Sequence, residues 1–319
     1  MKSAARILVK WVILSFLLVP VFALGQDVGL SGRIYTGYFY NTHTNNNAFT
    51  VDRVYLGYAG DLTSDVSYNV TSDIGPDFTD GGYQLFMKYA YIDWRQGDAG
   101  GLILGMIPMN AYDVQKRTWG FRYLRKTVMN DRGFAPSADI GAGYEMRFSR
   151  KVLVSAALSN GEGYKSPEVD EYKRIHVRLL YGPENLGSTT GFNVGAYTSY
   201  EAENVDESRM TFAGFTGIHV NDMWAGLEGA YQMLSETDWN QLLLSVYGRM
   251  EVGEDATAFG RFDYSNEQNP VTEITENLII GGVEFNPTGG IKIAPNFVYS
   301  LEDDGEDDLA IRASCEFRW

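Results

Sequence analysis

Residues Leu102 to Phe148 read LILGMIPMNAYDVQKRTWGFRYLRKTVMNDRGFAPSADIGAGYEMRF. Both ends of this stretch alternate between apolar and small or polar side chains, a period of two residues that is typical of β-strands. The apolar positions are Leu102, Leu104 and Met106 at the first end and Ile140, Ala142, Tyr144, Met146 and Phe148 at the second. The connection between them, Met109 to Ser137, is long, and a connection of that length inside a compact β-domain is usually functional.

The N-terminus has the features of a secretory signal peptide. Basic residues precede an apolar run, Trp11 to Phe22, and Ala23 and Gly25 are small residues at the −3 and −1 positions of a cleavage site. The run is shorter than the roughly 20 residues that a membrane-spanning helix needs, so a retained anchor is the weaker alternative. We predict that residues 1–25 are cleaved and that residues 26–319 form a single barrel domain.

The composition excludes several classes of protein. The formal net charge of −15 becomes about −18 when the three basic residues of the signal peptide are lost, which argues against nucleic acid as a partner. The only cysteine, Cys315, excludes an intramolecular disulfide. Tyrosine and glycine are abundant, with 21 and 35 residues, and this favours aromatic-rich strands over helices or disorder.

Alternating segments of about ten residues recur along the whole mature chain, which is the signature of a transmembrane β-barrel. We count sixteen, from Leu30–Asn41 to Leu309–Trp319, with Arg174–Tyr181 as the eighth and Leu278–Phe285 as the fourteenth. Odd-numbered connections are mostly longer and polar, whereas even-numbered ones are mostly short turns containing Gly, Pro, Asn or Asp. Outer-membrane barrels have this asymmetry, with long outer loops and short periplasmic turns. The predicted fold is therefore all-β, a transmembrane antiparallel barrel of about sixteen strands with a long third outer loop.

Charges on the polar phase of these strands distinguish a barrel with a wet lumen from a soluble β-sandwich. Charged side chains must be kept out of lipid, and a sixteen-stranded barrel leaves room for an aqueous channel. We therefore predict that six strand arginines face the lumen: Arg147, Arg174, Arg178, Arg249, Arg261 and Arg312.

The last strand carries an uninterrupted apolar phase, from Leu309 through Cys315 to the terminal Trp319. C-terminal strands of this kind, ending on an aromatic residue, resemble those of outer-membrane barrels that are read by the barrel-assembly machinery. We therefore predict a bacterial outer-membrane location, with lipid and lipopolysaccharide as surroundings. Cys315 lies on the apolar phase, where a structural role is favoured over a reactive one.

The long connection is basic although the chain is acidic. Clusters of Lys and Arg at a narrow place select anions because the local potential, and not the net charge, acts on the ion. We predict that Met109 to Ser137 folds into the lumen and narrows a passive channel that prefers small anions. The residues assigned to this constriction are Lys116, Arg117, Arg122, Arg125, Lys126 and Arg132. The alternative is that they lie on the outer surface and pair with lipopolysaccharide phosphates.

Four groups of residues resemble the phosphate-selective porin O and P family. They are Gly105-Met106-Ile107-Pro108, Trp119-Gly120-Phe121-Arg122, Ala138-Asp139-Ile140-Gly141 and Asn160-Gly161-Glu162-Gly163-Tyr164. The segments Phe49 to Gly60 and Tyr68 to Gly75 are similar to the second and third strands of that family. The resemblance implies a sixteen-stranded porin, a homotrimer and an inward third loop. Strictly phosphate-specific members are longer and line the pore with an arginine ladder, so the solute preference is left open between phosphate and other small solutes.

Other functions have weaker support in the sequence. A barrel enzyme needs a nucleophile and a base, yet the three histidines, His43, His176 and His219, are scattered and no serine motif accompanies them. The same histidines and the single cysteine lack the spacing of metal ligands. We therefore predict no enzymatic activity, no metal and no cofactor, and keep a non-channel structural or adhesion barrel as the main alternative.

Overall fold

Sixteen antiparallel strands form a closed barrel in which each strand pairs with its neighbours in the chain. The computed structural model describes residues 29–77, 81–98, 100–202, 204, 206–302, 305 and 307–319. The strands are β1 (Gly29–Asn41), β2 (Asn47–Asp61), β3 (Val66–Asp77), β4 (Gly82–Arg95), β5 (Gly100–Pro108), β6 (Ala138–Arg147), β7 (Val152–Ser159), β8 (Arg174–Tyr181), β9 (Gly191–Ala202), β10 (Ser208–Val220), β11 (Met223–Leu234), β12 (Asn240–Gly253), β13 (Ala256–Gln268), β14 (Glu273–Thr288), β15 (Ile291–Glu302) and β16 (Asp308–Arg318). The predicted signal peptide, residues 1–25, lies outside the described residues.

The barrel closes between the first and last strands. β1 pairs with β16 in a register that runs from Arg33 opposite Arg318 to Asn41 opposite Ala310. This pairing leaves neither strand as an open edge, so backbone N–H and C=O groups are satisfied within the barrel, as a membrane requires.

The predicted strands agree with the observed ones in number and order. The eighth has identical bounds, Arg174–Tyr181, whereas the fourteenth begins at Glu273 instead of Leu278. The extra residues continue the β13–β14 hairpin beyond the apolar part, where the Asn266 side chain donates hydrogen bonds to Glu273 and Thr275. Polar pairs of this kind lack the apolar period on which the prediction relied.

The two faces of the wall differ as the alternation predicts. On β8, Arg174 and Arg178 are buried on the inner face, while Val177 and Leu179 are exposed on the outer face. An outer face of large apolar side chains suits lipid, and an inner face with charged residues suits a wet lumen.

Two bulges bring charged residues to the inner face. Thr71 of β3 pairs with Tyr89 and Ser72 pairs with Met87, so Lys88 is an extra residue in β4. In the same way Tyr35 pairs with Arg53 and Thr36 with Val51, which leaves Asp52 as the extra residue of β2. A β-bulge re-aims side chains next to it, and both bulges lie in the part of the wall that carries the site described below.

The third outer connection contains two short helices that the sequence did not reveal, α1 (Asp113–Trp119) and α2 (Val128–Asp131). α1 ends at Gly120, whose left-handed backbone (φ 79°) lets its N–H bond to the carbonyl oxygen of Lys116. Asp113 in the first turn and basic residues in the last turn suit the helix dipole. Among the described residues there is no helix of sufficient length and apolarity to span a membrane.

Candidate functional site

The long loop, residues 109–137, packs its apolar side chains against the inner face of the barrel. Trp119 and Phe121 are almost completely buried. Their rings lie against Tyr247 of β12 and Phe259 of β13, with distances of 4.4 to 6.1 Å between ring centres. Burial of two large aromatic side chains in this way stabilises the position of the loop by several kcal/mol, of order 1.5–3 for each.

A second set of contacts holds the end of the loop. Met129 and Phe134 are fully buried in a cluster with Tyr197 of β9 and Leu243 of β12. The amide of Gln232 also donates a hydrogen bond to the carbonyl oxygen of Phe134, at 3.2 Å. Strands β9 to β15, which receive these contacts, are called the packed wall below.

Polar bonds complete the attachment of the loop to the packed wall. The hydroxyl of Tyr123 donates to Glu284 of β14 at 2.8 Å. The guanidinium of Arg261 on β13 donates to the carbonyl oxygen of Lys126 at 2.5 Å. The loop is therefore fixed by its backbone as well as by its apolar side chains.

Four of the six basic residues assigned to the constriction are paired with three carboxylates. Lys116 and Arg117 both pair with Asp113, at 2.5 and 3.1 Å. Arg125 pairs with Asp131 at 2.7 Å, and Arg132 pairs with Glu276 of β14.

The remaining two, Arg122 and Lys126, line a cavity of about 420 Å³ between the long loop and the wall. Arg53, Tyr164 and Lys165 line it as well. The cavity also has acidic lining residues, Glu162, Asp170 and Glu201, of which Glu201 pairs with Arg174. Cations on two sides of the same space give it a positive local potential.

The wall opposite the loop contributes cations that the sequence analysis did not single out. Asp73 on β3 is fully buried, and its carboxylate lies 3.4 Å from Arg53 of β2 and 3.8 Å from Lys88 of β4. The hydroxyl of Tyr164, from the loop after β7, donates to the same carboxylate at 2.5 Å. We call Arg53, Lys88, Arg122, Lys126 and Lys165, together with Asp73, the basic cluster, and strands β2 to β4 the polar wall.

Burial and the charges of the basic cluster shift the pKa values of its residues in the loops. Burial and the nearby charge of Arg122 lower the pKa of Lys126, and burial and Arg53 lower the pKa of Lys165. Burial and the carboxylate of Asp73 raise the pKa of the Tyr164 hydroxyl. Mutual repulsion of this kind is expected where several cations share one small space.

In contrast, the carboxyl group of Asp113 is held in its ionised form. Burial opposes its charge, but Lys116 and Arg117 outweigh burial and lower the pKa of this carboxyl to about 2. Lys116, Arg117 and the ionised Asp113 therefore carry one net positive charge, and not two, at any ordinary pH.

The six strand arginines occur in different surroundings. Arg147 pairs with Glu184 at 2.7 Å, and Arg174 pairs with Glu201. Arg178 donates to the backbone oxygen of Asn110 at 3.3 Å, and Arg261 bonds to Asp263 at 2.7 Å. Arg249 lies over the ring of Trp224 with 4.3 Å to the ring centre, and Arg312 is partly buried on β16. Arg178 and Arg261 thus bond to the long loop, whereas Arg174 lines the same cavity as the basic residues of the loop.

The connection between β8 and β9 is more than the short turn that is expected of an even-numbered connection. Leu186 is fully buried, and the indole N–H of Trp224 donates to its carbonyl oxygen at 2.8 Å. A side chain placed on Gly217 would meet both Leu186 and Thr118 of α1. The connection therefore reaches the end of the long loop from the opposite mouth of the barrel.

The histidines and the acidic loop residues have ordinary contacts. His176 lies 2.9 Å from the side-chain oxygen of Asn110, and His219 stacks on Trp224. Glu162, Glu168 and Asp170 bring carboxylate oxygens within 4.8 Å of one another, and two of the three are exposed. Exposed carboxylates of this kind do not by themselves make a metal site.

A closed sixteen-stranded barrel with an apolar outer face, a polar inner face and a loop packed against the inside defines an outer-membrane porin. The sequence agrees: residues 28–221 match the phosphate-selective porin O and P family, and the chain belongs to it. Membership assigns a channel rather than an enzyme and places the protein in the bacterial outer membrane.

Solved structures with the same fold have little sequence similarity to the chain. OmpT of Vibrio cholerae, an outer membrane protein, is 10% identical, with a TM-score of 0.71 over 94% of this chain and 99% of its own. A trimer form of OmpT is 12% identical, with a TM-score of 0.66 over 92% and 99%. The anion-selective porin of Comamonas acidovorans is 12% identical, with a TM-score of 0.66 over 92% and 100%. The sequence has no significant match among curated proteins.

Proposed function

We propose that this porin prefers small anions and that the basic cluster is the part of the channel that selects them. The observation that carries the proposal is that Arg122 and Lys126, from the long loop, line the same cavity as Arg53 of the polar wall. Arg53 and Lys88 in turn lie beside the buried carboxylate of Asp73. An ion that passes between loop and wall experiences this local charge and not the net charge of the protein.

The position of the loop supports this role over the alternative, in which its basic residues pair with lipopolysaccharide. Trp119 and Phe121 are buried against the packed wall, and Arg122 follows them directly in the chain. A residue tethered so closely to the inner wall cannot extend to the outer lipid surface. Phosphate and other small anions are both within the proposed preference.

A planar bilayer under a salt gradient tests the proposal. The wild-type reversal potential should indicate anion preference, and the double variant Arg122→Glu, Lys126→Glu should abolish or invert it because four units of charge change at the cluster. The matched control is Arg150→Glu, Lys151→Glu, which makes the same charge change in an exposed turn and should leave selectivity close to wild type. A cation-selective wild type, or equal effects of the two double variants, contradicts the proposal.

The remaining expectations concern processing and assembly. We propose that residues 1–25 are a cleaved signal peptide, and N-terminal sequencing of the membrane protein should then start at Gln26. We also propose a homotrimer, which is supported by the trimer form of OmpT among the structural relatives. Cross-linking followed by mass determination should give three chains, and a monomer throughout would refute this assembly. Lipopolysaccharide around the barrel and recognition of the last strand by the barrel-assembly machinery complete the proposal.

A further inference from the structure

The polar wall carries aromatic rings beside its cations. Tyr55 of β2, Phe86, Tyr89 and Tyr91 of β4, and Tyr164 of the loop after β7 are each partly buried and form what we call the aromatic row. Phe86 lies edge-on to Tyr164 with 6.1 Å between ring centres, and Tyr89 lies edge-on to Tyr91, also at 6.1 Å. The Nζ atom of Lys88 joins the two pairs, because it lies 5.3 Å from the ring centre of Tyr164 and 5.8 Å from that of Tyr89.

The row follows the direction of transport. β4 runs from the outer to the periplasmic end of the barrel, so Phe86 is near the outer end of the row and Tyr91 near the inner end. Because of the bulge at Lys88, Phe86 and Tyr91 lie opposite Asp73 and Asn69, which are four residues apart on β3. At about 3.3 Å per residue, the two side chains are separated by roughly 13 Å along the strand. A solute that moves along the polar wall therefore meets one ring after another.

An anion would ordinarily avoid such a surface, because the face of an aromatic ring carries partial negative charge. The positive charge of Lys88 counteracts this repulsion. Its ammonium lies 4.8 Å from the ring centre of Tyr55, in addition to its contacts with Tyr164 and Tyr89, and offsets the negative faces of all three. The rings are then left as apolar surfaces directly beside the cations.

A role limited to holding Lys88 in place does not account for the whole row. Tyr91 extends it past Tyr89 toward the inner end, and Phe86, which has no hydroxyl, extends it toward the outer end. Lys165 adds a second cation there, 5.1 Å from the ring centre of Phe86. Rings and cations therefore alternate over a longer part of the wall than one lysine needs.

We propose that the basic cluster and the aromatic row together bind organic phosphates that carry a planar ring. The inference rests on the proposed function, since the phosphate group would be held by Arg122 and Lys126 of the same cluster. The ring would lie along Tyr89 and Tyr91, where stacking adds to affinity beyond the burial of area. A phosphate without a ring uses the cations alone.

Two esters that share one anionic group test this inference. Each is added to wild-type channels in a planar bilayer, and the concentration that halves the chloride current is measured. Phenyl phosphate should reach this point at a concentration about tenfold lower than methyl phosphate, since tenfold corresponds to about 1.4 kcal/mol, within the range of aromatic pairing. Equal concentrations for the two esters would overturn the inference.

Variants show whether the row is responsible. The double variant Tyr89→Leu, Tyr91→Leu should lose the advantage of phenyl phosphate, whereas Tyr89→Phe, Tyr91→Phe, which keeps the rings, should retain it. Tyr231→Leu on the outer face is the matched control for partition of the aromatic ester into lipid and should behave as wild type. An advantage that persists in the leucine variant overturns the inference. The reversal potential of the wild type separates the two proposals. A wild type without anion preference refutes the proposed function. A wild type that prefers anions but blocks equally with both esters refutes only this inference.

Discussion

The packed wall and the polar wall contact opposite sides of the long loop and have different roles. Toward the packed wall the loop presents Trp119, Phe121 and Met129, all fully buried. Toward the polar wall it presents Arg122 and Lys126, which remain partly accessible at the edge of the cavity. Buried apolar side chains and a few hydrogen bonds anchor the loop on one side, and the charges that act on a solute are on the other.

This division teaches how a short segment can be both rigid and charged. Cations that share a small space repel one another, and a loop held by them alone would move apart. The energy that keeps Arg122 in place comes from its buried neighbours Phe121 and Tyr123. The ring of Phe121 packs on Phe259 of β13, and the hydroxyl of Tyr123 donates to Glu284 of β14. We therefore expect the position of the loop to depend on the packed wall and the ion selectivity to depend on the polar wall. Each expectation can be tested separately.

The largest effect is expected at the anchor. Trp119→Ala removes a ring that contacts Phe121, Tyr247 and Phe259 and an indole N–H that donates to the carbonyl oxygen of Arg125 at 3.1 Å. Truncation of a buried tryptophan costs about 3–5 kcal/mol, so the loop should leave the wall. Hydrogen exchange of residues 113–135 should accelerate, and single-channel conductance should rise and become noisy while anion preference falls.

The matched control for this change is Trp94→Ala on the outer face of β4, where the side chain is 48% exposed. It removes the same ring from a surface that faces lipid, and exchange within the loop should stay slow. Unchanged exchange and conductance in Trp119→Ala would mean that the packed wall does not hold the loop.

Much of this architecture could be predicted from the sequence, because a barrel wall is specified by a local period. The bounds of β8 and the order of all sixteen strands follow from alternation alone. The long loop stood out for a different reason, its length and its charge. Both signals are properties of contiguous residues.

The basic cluster was harder to predict because it depends on residues far apart in the chain. The charge of the long loop predicted Arg122 and Lys126, whereas Arg53 and Lys88 were not predicted, and Tyr164 stood out only through the family resemblance. A signal was available in β4: the apolar phase runs through Leu85 and Met87 and resumes at Ala90 and Ile92, one residue out of step. Such a slip marks a bulge, and here it turns Lys88 inward.

The ion pairs of the other loop cations could be predicted from the sequence only in part. Lys116 and Arg117 are three and four residues after Asp113, the spacing of ion pairs on a helix, but the helix itself was not foreseen. The pair between Arg132 and Glu276 links the loop to β14 and had no local signal. The same holds for Leu186, which is fully buried and whose carbonyl oxygen accepts a hydrogen bond from Trp224.

A smaller effect on selectivity should follow when the two paired cations of α1, Lys116 and Arg117, lose their carboxylate. Asp113→Asn removes the carboxylate shared by Lys116 and Arg117 and leaves both facing the channel. The anion-to-cation permeability ratio should rise roughly twofold, equivalent to about 0.4 kcal/mol and within the range measured for partly exposed ion pairs. The control Asp98→Asn, in an exposed turn, should leave the ratio unchanged. A fall in the ratio would indicate that α1 had lost its position.

The pH dependence of Asp113 has a definite sign. Its pKa is lowered to about 2, below the ordinary value of 3.8, so the ion pairs contribute their full stability above about pH 4 and lose it as the pH falls through 2. The effect of Asp113→Asn on selectivity should therefore be the same at pH 5 and pH 8. A difference between these two values would show that the carboxyl titrates in the working range.

The smallest effect, and the most direct test of crowding on the polar side, concerns Lys126. Burial and Arg122 lower the pKa of this lysine, so it should lose its proton at a lower pH than an ordinary lysine, and anion preference should decline before the exposed lysines titrate. Arg122→Gln removes the neighbouring charge, which should raise the pKa of Lys126 and shift the midpoint of the decline to higher pH, even though the variant starts from a weaker preference. Reversal potentials measured between pH 7 and pH 11 give the midpoint independently of the starting value. Lys126→Met should remove this part of the decline, whereas Lys151→Met, in the exposed turn after β6, should leave it in place. A midpoint that stays fixed or moves to lower pH in Arg122→Gln would mean that the two cations do not share the same space, and the contrast between the two walls would lose its electrostatic side.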